Sequence, residues 1–189
     1  THPSPAERVR RRNGCHDVDR HLNGRLNEMD PVLAALRATD YPYDIVNCDP
    51  DLADTAAFCE HYGYALNDSA NAILVAGKSE ERPVVCCVVL ASTRLDVNGV
   101  VRKRLGSRKA SFASPEETME RSGGMMIGGV TPFGLPGDLP VWIDALVMER
   151  TQVIVGGGSR ARKVLCPPEA IAALPVSYTH LRAHETQPY

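Results

Sequence analysis

The residues best suited to hold a reacting group lie in one loop, GGMMIGGVTPFGLPGDLP, from Gly123 to Pro140. Its glycines at 123, 124, 128, 129, 134 and 137 admit positive φ and close approach of backbone to a ligand. Its prolines at 132, 136 and 140 freeze the arrangement. Such a loop can aim bare N–H groups at a carbonyl oxygen or a phosphate. A packed structural crossover has the same composition, and composition does not separate the two. A second glycine run, Gly156-Gly157-Gly158-Ser159-Arg160, follows an apolar stretch but has neither nucleotide-binding spacing and reads first as a tight turn.

Other chemistry is poorly provided for. His61 lies two residues from Cys59 on a short helical pattern, so the two do not face each other and form no dyad. Glu80-Glu81 and Glu116-Glu117 fit a solvated turn and a first helical turn. His180 and His184 sit at i, i+4 without a preceding Glu or a nearby third ligand, so neither a metal nor another cofactor is expected. Arg94, Arg102, Lys103, Arg104, Arg108, Lys109 and Arg121 gather positive charge mid-chain, as a phosphate-facing patch or a solvated face.

Positioning those residues falls to a chain of 189 residues, 43% hydrophobic and 23% charged, which suits one ordinary domain with its own core. A net charge of -2 excludes a globally basic, DNA-coating protein, and 5% aromatics argue against a multi-base stacking platform. No apolar run approaches the ~20 residues of a membrane span. The first residues, THPSPAERVRRRNGCHDVD, lack the apolar stretch of a signal peptide. Six cysteines without a C-x-x-C read as reduced thiols, which points to a cytoplasmic protein.

Residues 1–20 carry no pattern. Leu22 to Leu36 recur at helical spacing, interrupted by Pro31, and Asp30-Pro31 marks the helix start: N-cap, then proline at the first position. Strands are expected at Tyr43–Val46, Ala70–Ala76, Pro83–Ala91, Lys109–Phe112, Val141–Asp144, Gln152–Gly156 and Lys163–Leu165. Ala70–Ala76 and Pro83–Ala91 suggest a hairpin, its second strand covered on both faces. Helices are expected at Ala53–Tyr62, Val97–Leu105, Ser114–Ser122 and Pro167–Leu174. Their irregular interleaving predicts a mixed α/β sheet, not a doubly wound one. Residues 21–175 form the expected domain. The segment 176–189 resembles a translated linker read-through and is expected to be peripheral.

The ordered set ANAILVA, PVVCCVVLASTRLD, VVRKRLGSRKASFASPEET, GGVTPFGLPGDLPVWID and VIVGGGSR resembles the YbaK/prolyl-tRNA-synthetase-associated domain family over about residues 31–175. The resemblance implies a mixed α/β fold with a distorted, barrel-like sheet flanked by helices. It also implies hydrolysis of the ester in mischarged aminoacyl-tRNA. The partners would be the tRNA 3′ aminoacyl end and an aminoacyl-tRNA synthetase. By resemblance, Gly128, Gly129, Thr131 and Pro132 shape the pocket, Phe133 and Gly134 extend it, and Asp144 positions the amino group or supports the loop. Arg102, Arg104 and Lys109 would meet the tRNA. Asn71 stands where the family carries a functional lysine. Its amide donates hydrogen bonds but carries no charge, which leaves a non-catalytic tRNA-binding module as the alternative.

Overall fold

A computed structural model describes residues 30–181. Helix α1 (Pro31–Ala38) starts where Asp30 accepts hydrogen bonds from the Val32 and Leu33 amides, with proline at its first position. It leads to β1 (Asp44–Asn47) and to α2 (Thr55–Tyr62), which ends on Gly63 at φ 77. The apolar runs become β2 (Ala70–Gly77) and β3 (Val84–Leu90), an antiparallel hairpin. After it, a π-helical turn at Val97–Val101 runs into α3 (Arg102–Arg104) where a plain helix was expected. The Asp96 carboxylate sets that start by accepting from the Gly99 and Val100 amides. Strand β4 (Ala110–Phe112) precedes α4 (Pro115–Arg121), capped by the Ser114 hydroxyl on the Glu117 amide. The Glu117 carboxylate accepts from Arg82 Nε and Nη2, at 2.7 and 2.8 Å.

Strand β5 (Val141–Asp144), α5 (Ala145–Met148), β6 (Val153–Gly156), β7 (Arg162–Cys166), α6 (Pro168–Ala172) and β8 (Ser177–Leu181) complete the order. A five-stranded sheet runs β4-β2-β3-β5-β8 and a three-stranded one β1-β7-β6. The first is mixed: β3 pairs antiparallel with β2 and parallel with β5. A parallel bridge from Ser69 to Ile154 joins the two sheets, which do not close into a barrel. Every residue of β3 is buried, as its unbroken apolar run requires.

The pleat sorts that strand between two cores. Cys86 and Val88 face a cluster with Leu36, Phe133, Ile143 and Val155, and Cys87 and Val89 face another with Val101 and Trp142. Burial pushes the Cys87 thiol up to about 12 and that of Cys86 further, so neither is a thiolate at neutral pH. The described cysteines are all free.

One expectation is corrected here. The segment after Pro175 is not peripheral over its first residues: β8 pairs parallel with β5, and Leu181 is fully buried in the Trp142 cluster. Among the described residues no helix is long and apolar enough to cross a membrane.

Asp30 also ties the start of α1 to β7, through an ion pair of 2.6 Å with Arg162. Burial raises the Asp30 pKa, but the Arg162 hydrogen bond and charge and the two helix amides outweigh it, so the net shift is downward from 3.8. The stability this carries is complete above the ordinary value and is lost as pH falls through the lower folded value. Asp30→Asn keeps the cap and loses the charge. It is expected to be less stable than the parent by about 1–2 kcal/mol at pH 7. The gap should close as melts are repeated toward pH 3; a gap unchanged by acid would rule the ion pair out as its source.

Candidate functional site

The two sheets part beside β2 and leave a cavity of about 390 Å³. Its walls are largely apolar, with Phe58, Ala70, Ala72, Leu74, Val130 and Val155 contributing. Thr55, Asn71, Gly128 and Lys163 bring polar groups to it.

Asn71 is the second residue of β2 and half-buried. Its side-chain oxygen accepts from the Thr55 hydroxyl at 2.6 Å. Thr55 opens α2, so the helix start fixes the amide plane, and the two N–H donors of Asn71 point away from that contact.

The opposite lip is the glycine loop. Gly128 sits at φ 91, in a conformation side chains avoid, and a Cβ there would strike the Arg160 guanidinium. Gly129 lies so close to the Ser159 backbone that a Cβ would come within 2.6 Å of it. The Gly158 amide donates to the Gly129 carbonyl at 2.8 Å. Arg160 donates to the Ile127 carbonyl at 2.8 Å and to the Pro50 carbonyl at 3.0 Å, and it meets Asp54 at 3.3 Å. The two glycine runs noted in the sequence are therefore halves of one junction. The run at 156–160 clamps the loop at 127–130.

Beyond Val130 the loop turns inward. Thr131 and Pro132 are buried, and the Thr131 hydroxyl faces the Phe133 amide at 3.5 Å. Phe133 is fully buried in the main core, and Gly134, at φ 71, packs on the Pro31 backbone. These four support the loop and do not line the cavity. Asp144 does not line it either: fully buried, it caps α5 by accepting from the Leu146 amide at 2.8 Å.

The basic residues also stand off the cavity. Arg102 spends its guanidinium on the Asn98 and Arg108 carbonyls. Arg104 lies 4.9 Å over the Trp142 ring. Lys109 is exposed.

Most of the cavity lining was not singled out in the sequence, and two of its polar residues stand out. Thr55 looks like any first-turn threonine. Lys163, on β7, is only 6% exposed, and its ammonium donates to the Ala53 carbonyl at 2.6 Å and to the Gly128 carbonyl at 2.9 Å. The Phe58 ring centroid is 5.4 Å from its nitrogen. Burial pulls its pKa down from the ordinary lysine value. The available signal was a lysine beside Arg162 at the start of a short strand, RKVLC, where a solvated position is the usual reading.

The model of a family described as aminoacyl-tRNA editing domain matches residues 49–174. The uncharacterized protein YwhH of Bacillus subtilis (strain 168) is 28% identical over 129 residues, 68% of this chain and 79% of its own length. A crystal structure of a protein put forward as a trans-editing enzyme for prolyl tRNA synthetase superposes with a TM-score of 0.70 at 22% identity, covering 82% of this chain and 95% of that one. The hypothetical protein APE2540 superposes equally well, TM-score 0.70 at 19% identity, over 80% and 98% of the two chains.

Proposed function

The chain belongs to the aminoacyl-tRNA editing domain family, and from that premise we propose that its cavity takes the 3′ aminoacyl end of a mischarged tRNA and hydrolyses the ester. The observation that carries this reading is the meeting of Asn71 and the Gly128 lip across one partly apolar cavity. Water adds to the ester carbonyl, whose π pair moves to oxygen. The tetrahedral intermediate then expels the ribose oxygen, which takes up the proton the water gives. The products are a free amino acid and an intact tRNA. Asn71 serves by orienting the carbonyl through its amide donors, fixed from behind by Thr55. The Ala70, Ala72 and Val155 wall faces the amino acid side chain and selects by volume.

The nucleotide chain leaves the cavity toward exposed charge such as Lys109. Arg102 and Arg104 add positive charge there while also holding their own segment together. A panel of mischarged tRNAs, incubated with the purified protein, tests the reading. Release of amino acid from at least one pair well above the uncatalysed rate is expected. Affinity should fall as salt rises, and Lys109→Glu should weaken all tRNAs alike and lower the salt slope by about 1. Binding of tRNA with no release from any pair makes the protein a binding module, the reading that the neutral Asn71 favours. Salt-insensitive binding removes tRNA as the ligand.

A further inference from the structure

Lys163 is a buried ammonium on the wall of the cavity, and its partners do not account for its charge. Among the described residues it makes two hydrogen bonds, both to main-chain carbonyls, and no ion pair. An ammonium has three donors, so one N–H is left over. Two carbonyl dipoles and the Phe58 ring face offset part of the cost of burying a charge. An uncompensated buried cation weakens a fold, and a leucine or methionine would fill β7 more cheaply. Position decides what that cation can meet. Lys163 pairs with Gly156 across the β6–β7 ladder, and both line the cavity with Asn71 and Gly128. Asp54, the carboxylate in the same lining, is mostly exposed and held by Arg160.

We infer that Lys163 is the anion-stabilising group of this cavity, its free N–H and charge meeting the oxygen that becomes negative when water adds to a bound ester carbonyl. The inference rests on the proposed hydrolysis and adds the charge that Asn71 does not supply. No proton need leave Lys163. The C–O bond to water forms, the carbonyl π pair moves onto the oxygen facing the ammonium, and collapse of that intermediate breaks the ester bond. In a cavity with largely apolar walls, this attraction is stronger than in water and is present before the reaction begins.

The test separates charge from scaffolding. Lys163→Gln keeps amide donors for the Ala53 and Gly128 carbonyls but carries no charge. The probes are two adenosine conjugates of one amino acid, a neutral 3′-amide and an anionic 3′-phosphonate that copies the tetrahedral intermediate. The parent should bind the phosphonate at least about 10-fold tighter than the amide, as expected of a charge-assisted bond. Lys163→Gln should bind both alike, keep the parent's affinity for the amide within about 2-fold, and slow deacylation by about 10²-fold or more. Lys163→Arg should recover part of the phosphonate preference. Equal weakening of both conjugates, or an undiminished preference in Lys163→Gln, overturns the inference and leaves Lys163 as a strut between α2 and the loop. Should Lys163→Gln fail to fold, the parent still decides, because equal affinity for the two conjugates overturns the inference. A parent that deacylates no tRNA yet prefers the phosphonate loses the proposed function and keeps the anion site.

Discussion

Asn71→Ala should release amino acid from mischarged tRNA about 10²–10³-fold more slowly than the parent, the usual cost of losing one preoriented donor. The fold should survive. Asn71 is half-buried at the edge of the cavity, and among the described residues its one side-chain hydrogen bond is accepted from the Thr55 hydroxyl. Loss of that contact costs about 1 kcal/mol, too little to unfold a domain. The defect belongs in kcat if the amide holds the carbonyl mainly as it becomes tetrahedral, and in KM if it holds the ground state equally. Thr55→Val removes the brace and keeps the amide, so its effect should be smaller and in the same parameter. Full activity in Asn71→Ala would return the work to the loop and Lys163. Thr55→Val as damaging as Asn71→Ala would make the hydroxyl itself the group that meets substrate.

The local signals in the sequence are strong where one residue controls one conformation. Asp30 with Pro31 and Ser114 with Pro115 start helices because an oxygen acceptor precedes a residue with no N–H to satisfy. Gly63 and Gly106 end segments at positive φ. Strand β3 reads as central because seven consecutive buried residues leave no polar face. The site was legible only on the lips of the cavity, Asn71 and Gly128. Lys163 was hidden because its burial depends on β7 being covered by α2 and the loop, which no spacing in the sequence expresses. Asp144 was named through the family resemblance alone; it lies buried off the cavity and caps the next helix. Strand β8 was missed because SYTHL has no sustained apolar face; among its described side chains, Leu181 is the one buried in the core.

Gly156→Val should destabilise the protein markedly. Gly156 closes β6, opposite Lys163, and the loop passes directly over it. A Cβ at 156 would run into the Val130 carbonyl and lie 2.9 Å from that of Gly129. Both obstacles are backbone, held by the Gly158–Gly129 hydrogen bond and by Arg160, so neither can swing aside like a side chain. Overpacking of this kind costs about 1–3 kcal/mol or more. Stiffening the unfolded chain by replacing glycine returns at most about 1 kcal/mol, so the clash wins. For a chain of this size the net loss corresponds to a fall in Tm of roughly 2–8 °C. Gly156→Ala should show the same sign at smaller size. Gly137→Ala is the control: its Cβ would meet nothing within 4 Å, and it should be neutral or slightly stabilising. The damage at 156 should also reach the site, because displacing Val130 shifts Gly128, whose carbonyl holds Lys163. Gly156→Ala should therefore lose deacylation out of proportion to its stability, measured at a temperature where it is fully folded. A variant that melts like the parent would mean the loop yields, and with it the claim that the glycine junction fixes the cavity lip.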